Sequence, residues 1–238
     1  MTKPGLRAGL SVAWSRPVGW FVTHVLYRTS ILGRTKVPST GPVIFAANHI
    51  SFLDGPLMFG AAPRPMHILV KKELFTGFLG QVLRASGQLP VDRAGDRQAL
   101  QLSKDMLDAG RCVGILPEGT RGSGAASSIN NGVAWLALNS GATVVPVAIL
   151  GTRITGEHLD ALPRPRRQLH VHFGEPLQVA RKPGETGRVS MDRAGIEIRA
   201  ALAQHIQQAI QVSGQPLPLA DSPQKRYEAV AGTPADHH

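Results

Sequence analysis

From Val43 onward, short apolar runs alternate with longer stretches in which apolar residues recur at helical spacing. The runs Val43–Ala47, Met66–Val70, Gln88–Val91, Cys112–Leu116 and Thr143–Leu150 read as strands. Between them, 55–62, 73–85, 95–109 and 131–140 read as helices, the third closing at Gly110 as a C-cap would. Near-continuous apolar strands are those covered on both faces. Their alternation with helices predicts an α/β fold with a largely parallel central sheet flanked by helices. A further strand, Gln168–Phe173, follows the basic loop Pro163-Arg164-Pro165-Arg166-Arg167, and a last helix spans about 188–212.

The two ends of the chain read differently. Residues 1–35 form an N-terminal basic amphipathic helical arm, broken near Pro17, whose apolar face includes Leu10, Trp14, Val18, Trp20, Phe21 and Val25. The folded domain is expected over 36–213, followed by a Pro/Ser/Ala-rich tail at 214–238 with the composition of a disordered segment. No internal repeat occurs, no run reaches 18 apolar residues, and no secretory leader pattern is visible, so nothing indicates export.

Charge changes this picture more than composition does. With 42% apolar and 18% charged residues the chain is ordinary for a globular domain, but its net charge of +10 points to an anionic partner. Aromatics make up only 5%, and no basic stripe is interleaved with them, which argues against nucleic acid. Lys3, Arg7, Arg16, Arg28, Arg34 and Lys36 are the only charged residues before Asp54. A basic arm bearing tryptophans suits an anionic membrane surface. The single cysteine, Cys112, lies in an apolar strand, so it reads as a buried inert thiol.

Candidate chemistry centres on Asn48-His49-Ile50-Ser51-Phe52-Leu53-Asp54, which follows the strand Val43–Ala47 and precedes a helix. Strand ends of open α/β sheets are where ligands bind. On one continuous helix His49 and Asp54 would point about 140° apart. A working pair therefore needs His49 outside the helix and Asp54 in or before its first turn. Competing structural readings are a histidine satisfied by backbone and an Asp54 N-cap ahead of Pro56, with Ser51-x-x-Asp54 as a capping box. Two other strand ends carry charged groups: Gly87–Arg93 ends in an arginine suited to grip a phosphate, and Pro117-Glu118-Gly119-Thr120-Arg121 adds a carboxylate, a hydroxyl and a second arginine. His170 and His172 share a strand face with no third metal ligand spaced nearby, and read as exposed strand histidines.

In this order the segments resemble the glycerolipid acyltransferase family, and within it the 1-acylglycerol-3-phosphate acyltransferases. The family's Asn-His-x-Ser-x-x-Asp block stands at Asn48–Asp54, its strand-terminal arginine block at Gly87–Arg93, Pro-Glu-Gly-Thr-Arg at Pro117–Arg121, and the proline of its fourth block at Pro146. Where the family often carries Phe-Lys-x-Gly, this chain reads Ile129-Asn130-Asn131-Gly132. The resemblance runs from about 36 to 176. It implies a glycerol-phosphate acyltransferase-like fold and transfer of a fatty acyl group from acyl-CoA, or acyl carrier protein, to lysophosphatidate, giving phosphatidate. Glycerol 3-phosphate itself or another lysophospholipid is the alternative acceptor. His49 and Asp54 would be catalytic; Asn48, Ser51, Arg93, Glu118, Gly119, Thr120 and Arg121 would hold substrate. No cofactor or metal is implied, acyl-CoA being a co-substrate, and attachment is expected to be peripheral, at the cytoplasmic face of the cell membrane. Two rivals remain: a metal-dependent phosphohydrolase using His49, Asp54 and Glu118 as ligands, and a non-catalytic lipid-binding protein.

Overall fold

The computed structural model describes residues 16–92, 97–118, 121, 123–126 and 131–219. Its centre is a seven-stranded sheet of strands β1 (Arg28–Leu32), β2 (Val43–Ala47), β3 (Met66–Lys71), β4 (Leu89–Val91), β5 (Cys112–Ile115), β6 (Thr143–Leu150) and β7 (Gln168–Phe173). They lie in the order β1-β7-β6-β2-β5-β3-β4. The pairs β6–β2, β2–β5, β5–β3 and β3–β4 are parallel, as the alternating pattern predicted. β7 turns antiparallel against β6, and β1 runs parallel to β7.

Helices α1 (Arg16–Phe21), α2 (Asp54–Ala61), α3 (Gly77–Ala85), α4 (Arg97–Asp108), α5 (Gly132–Ser140) and α6 (Gly187–Ser213) cover the two faces. Phe45, Val145, Val147 and Phe173 point from the sheet into a core layer with Leu57 and Met58 of α2. Ile44, Val113 and Val144 point the other way, against Leu107 of α4, Leu136 of α5 and Ile198 of α6. Every residue of β2 is buried, which is why its sequence shows no alternation. In α6, Ser190, Ala194, Ile198, Leu202 and Ile206 bury a single stripe at four-residue spacing.

The helical arm ends earlier than its sequence suggested. Pro17 sits in the first turn of α1, where its missing N–H costs nothing, and a wide turn at Val22–Leu26 follows. Arg28–Leu32 is then an edge strand, not helix, so the sheet already begins inside the segment read as an arm. Its signal is weak because no residue of it is fully buried. α1 rests on α2 through two glycines: a Cβ on Gly60 would fall 2.3 Å from the Gly19 carbonyl oxygen, so only hydrogen fits at that crossing. Residues 1–15, with Leu10 and Trp14, lie outside the described residues. At the other end, Leu217 packs against the cluster of Ala126, Leu150, Leu202 and Ile206. The Leu219 N–H donates to Thr155 Oγ1 at 3.0 Å. The tail expected over 214–238 is therefore docked as far as 219, and 220–238 lie outside the described residues.

His170 and His172 are not the exposed pair that strand alternation suggested. His172 is buried beneath α6, where the His205 ring nitrogen Nε2 contacts the His172 carbonyl at 2.8 Å. Burial, reinforced by the neighbouring His170 and His205, pushes the His172 imidazole down to about 4. Cys112 is buried as expected, and burial pushes its thiol up to about 11.

Candidate active site

β2 ends at Ala47, and the next seven residues build the turn that carries His49. Asn48 continues the sheet with its side chain. Its Nδ2 donates to the Ile149 carbonyl at 2.9 Å and its Oδ1 accepts the Ile149 N–H at 2.7 Å. This bidentate link pins the start of the turn to β6. Ser51 is equally buried, and its Oγ accepts the Leu53 N–H at 3.2 Å, closing a local side-chain turn. Both residues, expected among the substrate contacts, face backbone and hold the turn's shape.

Asp54 is the first residue of α2, with Leu53 in the cap position and no side-chain cap bond there. Its carboxylate folds back over the preceding turn instead of capping its own helix. Oδ2 accepts the N–H groups of Ile50 at 2.6 Å and Ser51 at 2.7 Å, and also meets His49 Nδ1 at 3.0 Å. Oδ1 accepts the Thr152 hydroxyl at 2.6 Å. With four donors on two oxygens, a fully buried carboxylate is satisfied without water. An acceptor-only partner at Nδ1 assigns the proton of a neutral imidazole to that nitrogen, so Nε2 carries the lone pair. The His49 side chain is 17% exposed against 0% for Asp54, so the imidazole sits where a substrate can reach it.

Glu118, at the end of β5, supports the same turn from the other side. Its Oε1 accepts the His49 backbone N–H at 3.1 Å. Burial pushes its carboxyl above the usual value, partly offset by the His49 and Ala126 N–H groups that bond to it. The carboxylate expected at the acceptor's phosphate end thus braces the turn that carries His49. Arg121 reaches outward: its Nη1 donates to the Leu159 carbonyl at 2.8 Å and to Asp160 Oδ1 at 2.6 Å. Arg93, Gly119 and Thr120 lie outside the described residues. Among the described residues no group of three or more His, Cys, Asp or Glu is arranged to hold a metal ion.

Two residues of this site escaped the sequence reading. Thr152 and Arg153 follow β6 directly and are both buried. Arg153 Nε donates to the Ile50 carbonyl at 2.9 Å. Gly151 makes this possible: with φ of +85° it turns the chain sharply out of β6, and a Cβ there would lie 2.9 Å from the Gln168 carbonyl oxygen. The available signal was positional. Gly151-Thr152-Arg153 ends a strand adjacent to the one that carries His49.

Comparison with known proteins bears on this arrangement. A model of the family described as Acyltransferase matches residues 28–150. A 1-acyl-sn-glycerol-3-phosphate acyltransferase of Chlamydomonas reinhardtii is 33% identical over 136 residues, covering 55% of this chain and 41% of that protein. Against two further proteins of that description, from Arabidopsis thaliana and Borreliella burgdorferi, the chain spans 38% and 51% of their lengths. A lyso-ornithine lipid O-acyltransferase of Pseudomonas aeruginosa is 31% identical over 188 residues, covering 72% of this chain and 67% of that protein. In fold, the chain is similar to the crystal structure of the 1-acyl-sn-glycerophosphate acyltransferase PlsC of Thermotoga maritima, with a TM-score of 0.61 at 18% identity over 82% of this chain and 79% of that one. Matched by the family model over just over half of its length, this chain belongs to the acyltransferase family.

Proposed function

We propose that the protein transfers a fatty acyl group from acyl-CoA to the free hydroxyl of 1-acylglycerol 3-phosphate, giving phosphatidate. The observation that carries this reading is the His49 Nδ1 contact with Asp54 Oδ2 at 3.0 Å, on an imidazole that is itself partly open. An alcohol is too weak an acid to ionise at neutral pH, so its attack on a thioester needs a base placed at its proton. His49 Nε2 takes that proton as the hydroxyl oxygen bonds to the thioester carbon. Asp54 holds the ring and stabilises the imidazolium. When the tetrahedral intermediate collapses, the C–S bond breaks and the imidazolium returns its proton to the departing sulfur. No protein nucleophile is required, because a thiolate is already a good leaving group.

A second acceptor class has specific support. The Pseudomonas relative, an O-acyltransferase for lyso-ornithine lipid, aligns over 72% of this chain. Here Arg121, one of two arginines expected at a phosphate, is already ion-paired with Asp160. Mass spectrometry of products decides between them. Purified protein is offered a panel of acyl-CoAs with lysophosphatidate, glycerol 3-phosphate or lyso-ornithine lipid. Phosphatidate as the dominant product supports the first reading, and a dominant doubly acylated ornithine lipid supports the second. Thioester consumption without any acylated acceptor would sink both.

The product carries acyl chains insoluble in water, so a site mouth facing the bilayer spares them a passage through solvent. Among the described residues no helix is long and apolar enough to cross a membrane. Val18, Phe21 and Val25 are each about half exposed and form one stripe on the side of α1 away from the Gly19–Gly60 crossing. Attachment is accordingly peripheral, through that stripe, at the cytoplasmic leaflet.

A further inference from the structure

The basic loop before β7 is far from the N-terminal arm in sequence but joined to it in space. The Tyr27 hydroxyl donates to the Pro163 carbonyl at 3.2 Å, a buried bond. The Arg166 N–H donates to the Leu26 carbonyl at 2.7 Å, and the Arg28 N–H to the Arg167 carbonyl at 3.0 Å. Two backbone bonds and one buried phenol therefore fix the loop against the end of α1's following turn.

Sheet register sets where this joint lies. Arg28 pairs with Gln168, so β1 and β7 start at the same edge. Leu150 pairs with His170 in the antiparallel pair, so β6 ends at that edge. Ala47 pairs with Val147, which in turn pairs with Phe173, so β2 points towards that edge but ends level with the far end of β7. From β2 to β1 is three strand spacings, about 15 Å. The joint between arm and loop therefore lies on the side of the sheet towards which β2 points, three strands across and about five residues beyond the end of β2.

Apolar and basic side chains are exposed around this joint, and the nearby acidic Asp160 is ion-paired with Arg121. Leu162 is 62% exposed and Trp20 56%. Arg28, Arg164 and Arg166 are exposed as well. Arg167, by contrast, is ion-paired with Glu157 and belongs to the scaffold. Apolar side chains next to cations suit a surface that is greasy inside and anionic outside.

We infer that residues 162–167 form a second lipid-contacting element, in which Leu162, Arg164 and Arg166 lie on the same anionic bilayer that takes the apolar stripe of α1. The inference rests on the peripheral attachment proposed above. It adds that the arm alone is insufficient, because part of the surface comes from a loop more than a hundred residues later.

Flotation of the full chain with vesicles of neutral phosphatidylcholine, and of phosphatidylcholine mixed with phosphatidylglycerol, tests it. The loop variant is Arg164→Gln with Arg166→Asn; asparagine is chosen because Arg166 holds a φ of +63°, which asparagine tolerates. Each cation near an anionic leaflet contributes about fivefold to partitioning, so the double variant should bind mixed vesicles about 25-fold more weakly. Its weak binding to neutral vesicles should be unchanged. Val18→Ser with Phe21→Ser should weaken binding to both vesicle types. Acyl transfer to detergent-dispersed acceptor should be the same in the loop variant and the parent chain. Mixed-vesicle binding equal to the parent's would overturn the loop's role while leaving peripheral attachment intact. No vesicle binding by the parent chain would overturn both. A loss of activity on dispersed acceptor matching the loss of binding would reassign the arginines to the substrate site, or to an acidic protein donor, and overturn the lipid surface.

Discussion

The Thr152 hydroxyl donates to Oδ1 of Asp54 at 2.6 Å, and neither residue has any solvent exposure. The two are 98 positions apart, joined because β6 and β2 are neighbours and Gly151 turns the chain back. Asp54 Oδ2 is already committed to His49, Ile50 and Ser51, and Thr152 holds the other oxygen, fixing the rotation of the carboxylate about that anchor.

Thr152→Val keeps shape and removes the donor. A hydrogen bond to a charged group contributes about 1.5–3 kcal/mol, which as lost transition-state positioning is about 10- to 100-fold in kcat. Thr152→Ser should retain most of the activity. In an Asp54→Asn background, Thr152→Val should cost little more. A merely structural threonine would instead lower the melting temperature equally in both backgrounds and leave kcat alone, which is the result that removes it from the catalytic arrangement.

The dyad itself can be separated from its scaffold. His49→Ala should stay folded and lose acyl transfer, because the ring is partly exposed and contributes no core volume. Asp54→Asn should also fold. An amide oxygen can take the place of Oδ2, and its NH2 can donate to Thr152 once that hydroxyl rotates. What it lacks is the charge opposite the imidazolium. In a hydrolase triad the corresponding Asp-to-Asn exchange costs about ten-thousand-fold by inverting the imidazole tautomer; here, with an amide oxygen keeping the tautomer, loss of the charge is expected to cost at least about a hundredfold in kcat. Wild-type turnover in a folded His49→Ala protein would end the general-base mechanism.

How much of this was legible in the chain depends on what each residue touches. β2 and β6 are apolar throughout because both their faces are covered, and their bounds are visible in the sequence. β1 was not legible: at the sheet edge its five residues are half solvated, and only Ile31-Leu32 breaks the polar run. His49 and Asp54 were legible because the turn that unites them is local. Asn48, Ser51 and Glu118 stood out in the sequence, but their role in holding the turn did not. Their partners are backbone atoms of β6, of the turn itself and of His49, set by packing that no spacing rule encodes. His172 looked exposed because alternation cannot reveal that α6 lies over its face.

Glu118 gives the site a pH signature. Burial holds its carboxyl above the ordinary 4.5. The folded state therefore favours the protonated acid more than the unfolded chain does. Its stabilising effect is fully present below the unfolded value and is lost as pH rises through the folded one. Glu118→Gln keeps an acceptor for the His49 N–H and cannot ionise. The melting temperature of Glu118→Gln minus that of the parent chain should grow as pH rises from about 4 towards neutrality. A difference that stays flat over that range would contradict a buried, raised carboxyl.

The Gly19–Gly60 crossing makes a last prediction, about how the apolar stripe is held. A Cβ on Gly60 would lie 2.3 Å from the Gly19 carbonyl oxygen and 2.9 Å from Thr23 Cγ2, and the first of these is backbone that cannot rotate aside. Gly60→Ala must therefore lift α1 away from α2. Overpacking of this kind costs about 1–3 kcal/mol, and here it falls on a helix of six residues with few other anchors. Asp54 lies at the opposite end of α2, held by its own four donors, so the dyad should survive. Gly60→Ala should raise amide hydrogen exchange over 16–27 and weaken binding to neutral and anionic vesicles alike. Transfer to detergent-dispersed acceptor should stay within about twofold of the parent's. Unchanged exchange in 16–27 would show that α1 does not depend on this crossing. A collapse of activity with exchange confined to α2 would mean that the crossing serves Asp54 and not the presentation of Val18, Phe21 and Val25.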